Sequence, residues 1–289
     1  MLMALSSCTG IRQLPDNTHM RKTGVDILGI YWDTYRTLPV LLACQDRQVF
    51  LSPGAFHTPW VFDNVRSILS SRGFETGAAA LLTAGTTDRN IGIYDDAANL
   101  HSKLAALVDE GKEVVLVGHS FGGLVISNAV EGLSLKQRAS EGKPGGILIL
   151  IYLTALAIPA GTDLVRNFDP NNLDGFIAAK SPLDMFYHDV EPSLAKKAVD
   201  NLTTMPFDKA KEPSRYEPWN NGFEVGYIFA EADRALPIYL QKAMASQFPD
   251  GYFAASIACG HSPSLSNPDE LADAIQNAVE YVRKKTLSA

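Results

Sequence analysis

Residues 114–123 read VVLVGHSFGG. The opening Val114-Val115-Leu116-Val117 is an unbroken apolar, mostly β-branched run, as expected of a strand buried on both faces of a parallel sheet. It runs straight into Gly118-His119-Ser120-Phe121-Gly122, and Gly123 opens a helix predicted over 121–133. This is G-x-S-x-G in a strand–turn–helix context, a turn so sharp that side chains at 118 and 122 would strike neighbouring elements. Such a turn holds the Ser120 hydroxyl proud of the sheet, at a helix N-terminus whose dipole and free amides favour a developing anion. A glycine-rich turn can also belong to a nucleotide-binding sheet. The chain, however, has no G-x-G-x-x-G after its first strand and no G-K-[ST].

The pattern repeats outward from this point. Upstream, 48–51 reads as a short strand and Thr58-Pro59 as the start of a helix, with Val61, Phe62, Val65 and Leu69 on one stripe. Residues 74–82 read as a strand and 94–110 as a helix, with Ala97, Leu100, Leu104 and Leu107 on one face. Downstream, 146–154 and 224–230 are buried strands, 237–248 is a helix and 252–257 the last strand. Asn267-Pro268-Asp269-Glu270 then opens a final helix with Leu271, Ile275, Val279 and Val282 inward. Strands alternating with helices predict an α/β fold, a doubly wound, mostly parallel sheet. Residues 160–222 interrupt it: polar, dotted with proline and without a strand pattern, with a helix expected around 192–202. An insertion there should lie over the sheet ends as a helical cap.

Of the 289 residues 46% are hydrophobic and 20% charged, which excludes collagen-like, coiled-coil and wholly disordered chains. The 25 Lys+Arg against 32 Asp+Glu leave −7, so no basic surface for nucleic acid is expected. Residues 1–46 carry four of each sign and no clean periodicity; they read as a neutral N-terminal extension of uncertain order, ahead of a catalytic domain at 47–289. No cationic leader precedes the opening apolar residues, and the longest apolar runs fall short of the roughly 18–20 residues of a spanning helix. Three scattered cysteines, Cys8, Cys44 and Cys259, suggest neither a disulfide framework nor a metal site. A cytoplasmic protein with no membrane partner, no metal and no cofactor is the expectation; the oligomeric state stays open.

A serine alcohol is a poor nucleophile without a base. Of six histidines, His261 follows the last strand directly, at the C-terminal edge where open sheets place their sites. The orienting acid should lie between serine and histidine in chain order. Residues 227–233, YIFAEAD, supply Asp233, with Glu231 as the alternative. Oxyanion donors should be the backbone N–H of Phe121 and one from Pro53-Gly54-Ala55-Phe56, best that of Ala55. Cys259 reads as a small packed residue at a strand end.

With these residues placed, the chain over about 47–287 resembles the α/β-hydrolase fold superfamily. It is most similar to the branch of plant methyl esterases and hydroxynitrile lyases with their fungal and bacterial relatives. The resemblance rests on PGAFHTPWVFD (53–63), GHSFGG (118–123), FYHDV (186–190), YIFAEADRALPIYLQ (227–241) and GHSPSLSNPDELA (260–272). It implies a Ser120–His261–Asp233 triad, an oxyanion hole of the Ala55 and Phe121 amides, and a helical cap around 160–220 shaping an apolar pocket. Many relatives carry His-Gly where this chain has Pro53-Gly54, a change that leaves the amides in place. The lyases of the branch have Thr at the position of Gly54 and Lys directly after the catalytic His, where this chain has Ser262. The expectation is therefore hydrolysis of a small or medium carboxylic ester, with Phe56, His57, Trp60, Met185, Phe186 and Trp219 as pocket candidates. The alternatives are a non-hydrolytic lyase or cyclase on the same site, and a ligand-binding receptor on the same fold.

Overall fold

The computed structural model describes residues 47–162, 172–173 and 175–287; the neutral extension 1–46 lies outside them. Strand β1 (Arg47–Ser52) leads through a 3-10 turn at Pro59–Phe62 into α1 (Asp63–Ser71), then β2 (Glu75–Ala78), α2 (Ile93–Asp109) and β3 (Glu113–His119). The elbow opens α3 (Phe121–Ala129), followed by α4 (Leu135–Ser140) and β4 (Gly146–Leu153). Strands β5 (Asn172–Leu173) and β6 (Phe176–Ile177), helices α5 (Pro182–Phe186) and α6 (Pro192–Asp200), and strand β7 (Met205–Pro206) come before the sheet resumes. It does so with β8 (Val225–Ala230), α7 (Ile238–Ala245) and β9 (Phe253–Ile257), and the chain closes on α8 (Pro263–Ser266) and α9 (Pro268–Leu287).

The main sheet runs β2-β1-β3-β4-β8-β9, every neighbouring pair parallel. The chain leaves β1 for β2 on one side and returns to β3 on the other. The crevice between β1 and β3 is therefore the topological switch point, where open α/β sheets bind ligands. In register, Ser52 pairs with Gly118, so the loop leaving β1 meets the elbow leaving β3.

Side chains alternate between the two faces because the strand period is two. Phe50, Val114 and Leu116 pack with α2 and α3, whereas Val49, Leu51, Val115 and Val117 pack with α1 and α9. The alternation skips in β4, where Leu148 and Ile149 face the same way. The register between Val114 and Val115 slips there by one residue, a bulge that re-aims the rest of β4. Helix α9 covers its face with Leu271, Ile275, Val279 and Val282, the stripe its sequence predicts. Each such fully buried aliphatic side chain contributes about 1.5–3 kcal/mol.

Four sequence-based expectations change. Residues 160–222 are not strandless: β5, β6 and β7 form a small antiparallel sheet. Strands of two residues carry no period to read. The stripe Val61-Phe62-Val65-Leu69 is buried as expected but divided between the 3-10 turn and α1, and Thr58 makes no side-chain cap. The strand expected over 74–82 spans only Glu75–Ala78, at the sheet edge, and the helix expected over 121–133 stops at Ala129. No helix among the described residues is long and apolar enough to cross a membrane.

Candidate active site

Ser120 sits at φ 53°, ψ −122°, on the positive-φ side that L-residues rarely occupy. Such a conformation costs on the order of 1–3 kcal/mol and persists because its surroundings over-determine it. The Ser120 amide donates to Leu153 O at 3.2 Å, and its carbonyl accepts from Gly123 N and Leu156 N, each at 3.0 Å. The glycines around it are sterically required. A Cβ at Gly118 would lie 2.7 Å from Gly122 O, one at Gly122 2.6 Å from Pro53 O, and one at Gly123 2.8 Å from Ala155 Cβ. Gly54 approaches from the other side: its Cβ would stand 3.0 Å from Ser120 Cβ. The loop leaving β1 is thus packed on the serine. Among the described residues nothing accepts a hydrogen bond from the Phe121 or Ala55 amide. Phe121 opens α3, where the amide has no intrahelical partner.

His261 lies in the loop between β9 and α8, and its Nδ1 is 2.7 Å from Asp233 Oδ2, with both side chains almost wholly buried. A carboxylate only accepts, so Nδ1 carries the proton and Nε2 is left with its lone pair. Asp233 follows β8 in a turn of its own making. Its Oδ1 accepts from Ala235 N at 2.7 Å and Leu236 N at 2.8 Å, and Oδ2 accepts from Thr154 Oγ1 as well as from His261. Burial works against the carboxylate, but His261 and these donors outweigh it and hold its pKa below the ordinary value. Glu231, the other acid of that loop, is exposed.

Further polar groups come into place that sequence reasoning did not assign. His119 Nε2 donates to His261 O at 2.7 Å, tying the elbow to the loop after β9, while its Nδ1 is buried with no partner among the described residues. Burial first, then the neighbouring His261 and His57, push its pKa well down, so it is neutral. Thr154, at φ 36° where the chain leaves β4, reaches Asp233. Its position at a strand's carboxyl end was the one signal available. The segment 186–189 touches three loops. Phe186 lies 5.2 Å from the His261 ring and 5.6 Å from that of His57, ring centre to ring centre. Tyr187 Oη lies 2.6 Å from His57 Nε2, His188 Nε2 donates to Ala232 O at 3.0 Å, and Asp189 Oδ2 accepts from Gly260 N at 2.5 Å.

The pocket candidates separate. Phe56, His57 and Phe186 are buried in this neighbourhood, Phe56 with its carbonyl accepting from Thr203 N at 2.9 Å. Trp60 is half-buried beneath Lys197, whose Nζ stands 5.0 Å over its ring, and Met185 packs on the core edge. Trp219 packs edge-on against Tyr152 and tilted against Phe248 in an aromatic cluster. Burial and nearby carboxylates push the Cys259 thiol up to about 12, which leaves it unreactive. No group of three metal-ligating side chains occurs among the described residues.

A parallel sheet with a serine elbow at its switch point and a buried histidine–carboxylate pair in the loops after its last two strands define the class. The chain belongs to the alpha/beta hydrolase family, whose model matches residues 49–274. It is 29% identical over 241 residues to the alpha/beta hydrolase nvfD of Aspergillus novofumigatus, covering 80% of this chain and 95% of that one. Methylesterase 10 of Arabidopsis thaliana is 24% identical over 250 residues, covering 79% and 90%. Among solved structures, tomato methylketone synthase I in complex with 2-tridecanone superposes with a TM-score of 0.66 at 19% identity, covering 81% of this chain and 98% of that one. The plant methylesterase is a relative of the kind that the motifs indicate.

Proposed function

We propose that the protein is a serine hydrolase that cleaves a small or medium carboxylic ester through an acyl-enzyme. Ser120 Oγ attacks the ester carbonyl while His261 Nε2 takes its proton, and the Asp233 carboxylate orients and stabilises the imidazolium that forms. The Ala55 and Phe121 amides receive the oxyanion. Collapse of the tetrahedral intermediate expels the alcohol, which takes the proton from His261. Water, deprotonated by the same nitrogen, then attacks the acyl-enzyme and releases the acid, restoring Ser120.

The observation that carries this reading is the buried His261–Asp233 pair at 2.7 Å, which fixes the hydrogen on Nδ1, in a chain whose elbow serine is at positive φ and whose Ala55 and Phe121 amides have no acceptor among the described residues. Gly54 and Ser262 stand where the lyases of the branch have their Thr and Lys, which favours hydrolysis. The Phe186 ring, 5.2 Å from that of His261, suits an ester with an apolar or aromatic part.

A p-nitrophenyl ester panel run beside a fluorophosphonate probe tests the proposal. The expected result is turnover together with covalent labelling at Ser120, both abolished in Ser120→Ala. Folded protein that neither labels nor turns over would overturn it. A product acid without oxygen from labelled water would instead indicate the lyase or cyclase alternative.

A further inference from the structure

Two groups outside the proposed triad form a continuous path to the oxyanion loop. His57 Nδ1 is 2.6 Å from Ala55 O, and His57 Nε2 is 2.6 Å from Tyr187 Oη. A carbonyl can only accept, so Nδ1 carries the hydrogen. The ring is neutral at physiological pH, because burial pulls its pKa down to about 4. Nε2 therefore holds a lone pair, and the Tyr187 hydroxyl donates to it. Every polar atom of the path then has one defined role, from phenol to imidazole to peptide carbonyl.

The path ends on a backbone that would not hold itself. Phe56, the residue after Ala55, sits at φ 70° without being glycine. With the Ala55 carbonyl bonded to the His57 ring, the Ala55–Phe56 peptide plane is held, and the Gly54–Ala55 plane that carries the Ala55 N–H is held by His57 N donating to Gly54 O at 3.3 Å. Thr203 N holds the next carbonyl at 2.9 Å. Tyr187 is itself anchored by its neighbours: Asp189 on Gly260 N, His188 on Ala232 O and Phe186 on the His261 ring.

We propose that Tyr187 and His57 are positioning residues for the oxyanion hole, holding the Ala55 peptide in register with the Ser120 elbow. Through the segment 186–189 they couple it to the loops carrying Asp233 and His261. This rests on the hydrolase reading above. Neither side chain needs to touch the substrate: they act on the placement of an amide whose donor matters in the transition state more than in the ground state.

Tyr187→Phe, His57→Asn and His57→Gln separate the links. Asn presents its amide N–H near the place of Nδ1 and so retains a donor towards Ala55 O; Gln retains only an acceptor towards Tyr187. Activity is measured on a p-nitrophenyl ester that the wild type turns over, together with the affinity for a trifluoromethyl ketone that forms a tetrahedral adduct. In Tyr187→Phe and His57→Gln, kcat should fall about 10- to 100-fold with KM within about threefold. Affinity for the ketone should fall in step with kcat, and His57→Asn, which keeps a donor to Ala55 O, should lose less of both than His57→Gln. A loss of thermal stability with unchanged kcat and ketone affinity at a temperature where the variants are folded would overturn the proposal. So would His57→Asn behaving no better than His57→Gln. Should the wild type itself neither turn over esters nor label at Ser120, it is the hydrolase reading that fails.

Discussion

At the residue scale, a few atoms define the chemistry. Asp233 accepts four hydrogen bonds in an almost dry site, and one of them fixes which nitrogen of His261 carries hydrogen. Asp233→Asn keeps the shape and the bonds from the Ala235 and Leu236 amides, but places an N–H or a neutral oxygen opposite Nδ1. The unfavourable tautomer, with its lone pair on Nδ1 facing residue 233 and its hydrogen on Nε2, then becomes accessible. We expect kcat on an activated ester to fall about 10³- to 10⁴-fold with KM little changed. The circular dichroism spectrum should match the wild type, and steady-state kinetics on that folded variant is the check. The loop carrying His261 stood out in the sequence because it follows a strand directly, and the elbow because glycine is required on both sides of it. Thr154, Tyr187 and His119 were not legible in these roles. Each acts through a partner 79, 130 or 142 positions away, and no local pattern encodes such a distance.

At the scale of elements, α2 is fastened to the chain after β2 by a buried carboxylate. Asp96 Oδ1 accepts from Thr83 N at 3.1 Å and Oδ2 from Thr83 Oγ1 at 2.7 Å. Burial outweighs these donors and raises the Asp96 pKa from 3.8 to about 6. The folded protein therefore holds this proton more tightly than the unfolded chain does. Its contribution to stability is complete below pH 4 and declines as pH rises from about 4 through about 6. Asp96→Asn removes that cost while an amide still satisfies Thr83. The variant should gain thermal stability over the wild type at pH 8, by a few degrees, and the gap should narrow towards pH 4. A gap independent of pH, measured by thermal melts across that range, would contradict the assignment. The elements themselves were read well where period and burial agree, as in α9 and β3. They were read poorly where the element is a two-residue strand or an edge strand with mixed exposure, as in β5–β7 and β2.

At the scale of the whole molecule, three histidines share one buried neighbourhood, with ring centres 6.2 Å apart for His57–His119 and 4.8 Å for His119–His261. Burial holds His57 near a pKa of about 4 and His119 well below 6.5, whereas in the unfolded chain both take up a proton near 6.5. A depressed folded-state pKa means that stability is complete above 6.5 and is lost as pH falls towards the folded values. Asp96 works in the opposite direction over pH 4–6 and offsets part of the loss. The net expectation is a fold weaker at pH 5 than at pH 7. Urea unfolding at the two pH values measures it, and equal midpoints would refute the claim that both histidines are neutral in the native state.

Residues 114–123, the strand runs around them and the chain order of serine, acid and histidine determined, from sequence alone, a doubly wound sheet with a serine elbow at a strand end. They could do so because backbone geometry at a sharp turn and burial on both sheet faces restrict residue types locally. The tertiary structure decided what spans the chain. The β1–β3 switch point sets Gly54 against Ser120, the hydrogen bond to His261 goes to Asp233 while Glu231 lies exposed, and the segment 186–189 joins the loops that meet at the site. Such contacts depend on how the sheet twists and the loops pack, so they exist only once the whole core has formed.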